Sequence, residues 1–188
     1  MVSITRRALL ASAGSIAGAL ILAACGSTRS YGGKHGATGA YDQNFIDAMV
    51  PHHQAAIDMA KVAQRKAEHA ELRQLADAIV GAQDSEIAQM KAWRTTWYGS
   101  GEIAPGMGSH QMGGMDTDPA HLEDAAPFDK AFIDAMIPHH QSAIDMAQEA
   151  MTQAQHREIK NLAARIVAAQ QAEITRMNNW RAAWYPGA

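Results

Sequence analysis

From residue 72 onward, apolar side chains return every three or four positions: Leu72, Leu75, Ala76, Ile79, Val80, Ile87, Met90 and Trp97, with Gln83 on the same stripe. This is the helical period, and the run predicts one long helix from about Glu68 to Tyr98 and Gly99. The stretch before it has the same character. With about 100° of turn per residue, Phe45, Ile46, Met49, His52, His53, Ala56, Met59 and Ala60 share one face, while Asp47, Gln54 and Asp58 lie opposite. Asp42 is placed to cap this helix, which should continue to about Lys66. Pro51 falls inside it and lacks an amide hydrogen, so the pattern predicts a kink there or the start of a second helical piece.

The whole pattern then recurs. Residues 45–60, FIDAMVPHHQAAIDMA, return at 132–147 as FIDAMIPHHQSAIDMA, and a shift of 87 aligns residues 45–98 with 132–185 without a gap. His69 falls on His156, Gln83 on Gln170, Glu86 on Glu173 and Met90 on Met177. A recurrence of this length marks a duplicated unit, here the size of a helical hairpin. The second copy should run from Asp129 to about Gln153 and from about His156 to Tyr185. One hairpin cannot bury its stripe alone, but two facing hairpins can. The fold class is therefore all-α: a four-helix bundle of two duplicated hairpins around a pseudo-two-fold axis. Residues 99–127 connect them. They are rich in Gly, Pro and Met, and connections of that length tend to be functional or disordered. Trp93, Trp97 and Tyr98, with Trp180, Trp184 and Tyr185, are expected to gather at one end of the bundle. There they would cap its core or, if exposed, face a partner.

The amino terminus breaks the pattern. Residues 1–24 carry Arg6 and Arg7 and then an apolar, small-residue run, the layout of an export signal. A membrane-spanning anchor is the alternative, for which the run is marginal in length and diluted by Gly and Ser. The arginine pair resembles a twin-arginine signal. Leu22-Ala23-Ala24-Cys25 resembles a bacterial lipobox, in which the cysteine is lipidated and begins the mature protein. Cys25 is the only cysteine, which excludes an intrachain disulfide and a thiolate cluster. Residues 25–40 then form a flexible tether rich in Gly, Ser and Thr, and residues 41–188 the bundle. The protein is expected outside the cytoplasm, held by lipid at the outer face of the cytoplasmic membrane or in the periplasm or cell envelope.

Charge narrows the partners only slightly. The formal net charge is −3, and loss of residues 1–24 would bring it near −5. No basic patch suggests nucleic acid, and mild acidity is compatible with a cation.

The chemistry lies on the first helix of each copy. Met49, His52, His53 and Met59, and again Met136, His139, His140 and Met146, share the face that carries the apolar side chains. Gln83 and Met90 lie on the stripe of the second helix with Glu86 on its shoulder, and Gln170, Met177 and Glu173 repeat this. Buried polar groups need partners. Side chains alone could supply them, His52 to Glu86 or His53 to Gln83, and helical Met stripes are often plain packing. The other partner is a metal. Imidazole with thioether suits copper, Cu(I) above all; zinc and iron remain open, and no EF-hand loop supports calcium. The connector adds Met107, His110, Met112 and Met115 in a Gly-rich run, with His121 nearby.

The doubled PHHQ-x-A-I-D-M-A motif resembles the bacterial family DUF305, over essentially all of residues 45–185. The resemblance implies an exported, ferritin-like helical bundle, with copper binding and copper resistance among some members. It carries Met49, His52, His53 and Met59, with Met136, His139, His140 and Met146, as candidate ligands. Members often have a Met-Pro-Gly-Met-Met connector; here Ala104-Pro105-Gly106-Met107-Gly108 holds fewer methionines.

Three functions compete. The first is an envelope lipoprotein that captures or buffers copper and hands it to an envelope partner. The second is a structural or partner-binding lipoprotein without metal. The third is a ferritin-like di-metal redox enzyme. Di-metal carboxylate bundles use Glu-x-x-His on two helices; neither repeat has one, which counts against the enzyme.

Overall fold

The computed structural model describes residues 38–103 and 119–187. These residues form α1 (Thr38–Lys66), α2 (Ala70–Tyr98), a short α3 (Pro119–Glu123), α4 (Phe128–Gln153) and α5 (Arg157–Trp184). No strand occurs among them. α1 pairs with α2 and α4 with α5, and the hairpins meet through α1 and α4, while α2 and α5 stand further apart. α1 starts at Thr38, ahead of the boundary at residue 41 expected for the bundle. It passes through Pro51 as one helix, as α4 does through Pro138, so neither proline opens a second helical piece. Gly99 ends α2 with a left-handed φ of 81°, which returns its N–H to the Thr95 carbonyl.

α3 is the element that the periodicity misses, because five residues cannot show a period. It packs on the end of α1: Leu122 is buried in the core, and Glu123 pairs with Arg65 and Lys66.

Asp42 does not cap its own helix. It lies inside α1, fully buried, and its carboxylate serves the other hairpin. Oδ1 accepts the Gln155 N–H at 2.9 Å; Oδ2 accepts the His156 N–H at 2.9 Å and faces His156 Nδ1 at 2.6 Å. Asp129 does the same for the first hairpin, accepting the Glu68 and His69 N–H groups at 2.9 Å each and facing His69 Nδ1 at 2.7 Å. His69 and His156 are the N-cap residues of α2 and α5, and neither caps its helix with its own side chain. Each carboxylate therefore satisfies the open N–H groups, and the positive end, of a helix in the opposite hairpin.

This clamp fixes the topology. The start of α1 lies at the α4–α5 turn and the start of α4 at the α1–α2 turn, so α1 and α4 run antiparallel. Trp97, near the end of α2, stacks on His156 at 3.7 Å, and Trp184, at the end of α5, stacks on His69 at 3.7 Å. The two aromatic groups thus sit at opposite ends of the bundle and not together at one, because the pseudo-two-fold axis exchanges the ends. The connector crosses from one end to the other, roughly 40 Å for helices of this length. A bundle with a single long crossover of this kind has the ferritin-like connectivity.

Asp47 is buried too, contrary to its place on the polar side of the helical wheel. Its carboxylate holds Arg94 through two hydrogen bonds. The equivalent pair, Asp134 and Arg181, lies in the open, with the Asp134 side chain 43% exposed.

Candidate metal centre

Two apolar clusters fill the bundle. One holds Met59, Met136 and Met177 with Leu72, Leu75, Phe132 and Ile133, toward the α1–α2 turn. The other holds Met49 and Met90 with Phe45, Ile46, Ile159 and Leu162, toward the α4–α5 turn. His52 and His53 lie at the middle of α1, and Gln83 and Glu86 at the middle of α2. With their repeats they form a polar layer between the two clusters.

The imidazoles stand in a row across the pseudo-two-fold axis. The rings of His52 and His139 are 3.9 Å apart between centroids; His53 lies 6.5 Å from His52, and His140 lies 6.4 Å from His139. The sequence left open whether the two pairs meet, and here they do. All four side chains are essentially inaccessible.

Hydrogen bonds fix which ring nitrogen carries the proton. His53 Nε2 lies 2.8 Å from Glu86 Oε2, and His140 Nε2 lies 2.7 Å from Glu173 Oε2. A carboxylate only accepts, so each Nε2 donates, and a ring that is neutral then keeps its lone pair on Nδ1. His52 Nε2 lies 2.6 Å from Ser142 Oγ, whose own proton goes to the His139 carbonyl at 2.9 Å. His52 therefore also donates from Nε2. These partners differ from both pairings expected from sequence: Glu86 serves His53 and not His52, and Gln83 bonds neither.

The repeats are unequal at one position. Ser142 aligns with Ala55, which has no hydroxyl, so His139 lacks the partner that His52 has. The signal was visible in the sequence, as one of only two differences between the two sixteen-residue copies, but nothing there marked it as a hydrogen-bond partner.

Seven buried side-chain atoms in this layer have no hydrogen-bond partner: Nδ1 of His52, His53, His139 and His140, Nε2 of His139, and Oε1 of Gln83 and Gln170. Most buried polar groups in proteins are paired, so the five imidazole nitrogens in one layer are a signature of a missing ligand. Burial, then the neighbouring His53 and His140, lowers the His52 pKa to about 3. Burial, then the nearby His52, lowers that of His139 well below the ordinary range. Both rings are neutral at physiological pH, with lone pairs available to a cation.

The remaining candidates divide. Met49, Met90, Met136 and Met177 are fully buried beside the layer, as is Met59, whereas Met146 is only half-buried. Among the described residues, no three His, Cys, Asp or Glu side chains form a group that could hold a metal ion by themselves. His121 sits on α3 at the end of α1, roughly 20 Å along the helix from His52, and is not part of the row. Met107, His110, Met112 and Met115, and Cys25, lie outside the described residues.

The sequence profile of the family described as domain of unknown function DUF305 matches residues 42–181. The chain belongs to the DUF305 family. Its fold is similar to CopM in the Cu(I)-bound form, with a TM-score of 0.68 and 41% identity over 77% of this chain and 97% of that one. The similarity to CopM in the Cu(II)-bound form has a TM-score of 0.70 and 45% identity over the same shares of the two chains. A DUF305 protein of Streptomyces coelicolor matches with a TM-score of 0.68 at 24% identity, over 78% of this chain and 94% of that one, and bears on the fold alone. A search of curated protein sequences gave no match. No helix among the described residues of this DUF305 domain is long and apolar enough to cross a membrane.

Proposed function

We propose that this domain binds copper, Cu(I) in preference, through imidazoles of the row His52, His53, His139 and His140 together with the methionine sulfurs beside it, and that it captures or buffers the metal in the cell envelope. One observation carries the reading: in a fully buried layer, Nδ1 of all four rings has no partner, while Nε2 of three donates to a fixed acceptor. A carboxylate on the far nitrogen is the usual outer-shell support of a metal-bound imidazole. Glu86 and Glu173 occupy that supporting place, so they act behind the rings and not as bridging ligands of a di-metal enzyme. Met49, Met59, Met90, Met136, Met146 and Met177 offer thioether sulfur on either side of the layer, which selects for Cu(I) over harder ions. The similarity to CopM in copper-bound forms supports the same reading.

Lipid on Cys25, followed by the tether, would hold the domain at the membrane and leave the connector methionines, Met107, Met112 and Met115 with His110, to pass copper inward. Titration of the protein with Cu(I) against a chromophoric chelator tests the site. The wild type should withdraw copper from the chelator. The variant with His52, His53, His139 and His140 all changed to Ala should lose that affinity while keeping its helical spectrum, and equal stoichiometry in the two would reject the row. Cys25→Ser should release the protein from the membrane fraction, and retention there would mean that the apolar amino-terminal run is the anchor.

A further inference from the structure

α1 packs closely on α4, whereas α2 and α5 stand further apart and are bridged at the rim by Arg165 and Gln89. A cleft runs between α2 and α5, lined by Ile79, Gln83, Glu86, Ile166, Gln170 and Glu173 with two small alanines, and it encloses about 20 Å³. That is room for one water molecule or one small ion. The walls are pseudo-symmetric, with one glutamine and one glutamate from each hairpin.

The oxygen atoms in this cleft are unevenly satisfied. Gln83 and Gln170 are each 3% exposed, and Oε1 of each has no partner. A buried carboxamide oxygen without a donor is costly, and its presence twice at one cavity points to something that sits between them. Glu86 and Glu173 bond their imidazoles through Oε2, which leaves Oε1 of each for another partner. Arg176 lies 3.9 Å from Glu173 Oε1 and is half-exposed. At the matching place in the first copy stands Gln89, whose Oε1 accepts a hydrogen bond from Arg165 Nη2 at 3.1 Å across the rim. The cleft thus carries two carboxylates, two carboxamide oxygens and no sulfur.

We propose that the α2/α5 cleft is a second cation site, built from oxygen donors by Gln83, Gln170, Glu86 and Glu173, and that it takes a hard divalent cation that keeps part of its water. Carboxylate, carbonyl and water are the ligands of such ions, of which Mn(II) is the most convenient probe. The site is distinct in chemistry from the imidazole and thioether layer beneath it, and the proposal does not depend on copper binding there.

The test is a titration of the full-length protein with Mn(II), following the loss of the free-ion electron paramagnetic resonance signal. The wild type should retain one Mn(II) per chain. The double variant Gln83→Leu with Gln170→Leu should weaken that binding at least tenfold, with an unchanged Cu(I) titration. Leucine is close to glutamine in volume and removes two unpartnered oxygens, so this variant should melt no earlier than the wild type. Glu86→Gln with Glu173→Gln, which keeps an acceptor for each imidazole, should weaken Mn(II) as well, and serves if the leucine variant fails to fold. A wild type that retains no Mn(II) would overturn the proposal in favour of a resident water. Equal Mn(II) affinity in the variants would overturn it too, because the ion would then be bound elsewhere on the chain.

Discussion

The single serine that separates the two imidazole pairs makes a stability prediction with its own internal control. Ser142→Ala removes the half-buried acceptor of the His52 Nε2–H, whose own ring is buried. Leaving a buried donor unsatisfied costs about 1–3 kcal/mol. Alanine is the better helix former by roughly 0.5 kcal/mol, so the net loss should be about 0.5–2.5 kcal/mol. The reverse change, Ala55→Ser, places a hydroxyl at the symmetry-related position, within reach of the His139 Nε2 that has no partner. A new hydrogen bond contributes about 0.5–1.5 kcal/mol, and the same helix penalty of roughly 0.5 kcal/mol leaves a gain of about 0–1 kcal/mol. Position 55 is only half-buried, so the added oxygen need not displace core atoms. Urea unfolding of the metal-free protein, followed by circular dichroism, measures all three variants. Ser142→Ala should shift the midpoint down, Ala55→Ser should leave it level or raise it, and the exchange of both should return close to the wild type. A Ser142→Ala protein as stable as the wild type would refute the hydrogen-bond assignment, and with it the tautomer argued for His52.

The buried ion pair offers a second contrast between the repeats. Arg94→Met strands the Asp47 carboxylate in the core and should cost about 3–5 kcal/mol, whereas Arg181→Met, beside the exposed Asp134, should cost no more than about 1 kcal/mol; equal losses would mean that burial does not separate the pairs. Acid should unfold the metal-free domain. His52 titrates near 6.5 when unfolded and about 3 when folded, and His139 moves in the same direction. The unfolded chain therefore takes up protons first as pH falls. Stability from the His52 ring is intact above pH 6.5 and is lost toward pH 3, at about 1.4 kcal/mol per pH unit, and His139 acts in the same direction. Denaturant midpoints measured between pH 7 and 4 should fall accordingly, and the fall should be shallower in His52→Leu with His139→Leu; a flat profile would contradict the neutral, buried rings.

Helix and hairpin boundaries were legible in the sequence because long amphipathic periods and an internal duplication both report local geometry. The face holding His52, His53, Met49 and Met59 was legible for the same reason. Three things were not. Asp42 looks like an ordinary helix cap, and only the antiparallel docking of α1 on α4 brings it to the other hairpin's turn. Asp47 falls on the polar side of the wheel, and its burial depends on Arg94 reaching back from α2. The aromatic groups share one place in the repeat, and the pseudo-two-fold axis sends them to opposite ends. Each is a property of how the helices dock on one another, which no local period encodes.

Copper is expected to meet Nδ1 atoms of the imidazole row. Nitrogen-15 magnetic resonance of the histidine rings before and after one equivalent of Cu(I) tests it directly. Nδ1 resonances of the row should shift strongly while the Nε2–H protons of His53 and His140 persist on Glu86 and Glu173. Unmoved ring nitrogens, with the shift confined to the methyl groups of Met107, Met112 and Met115, would place the metal on the connector and contradict it.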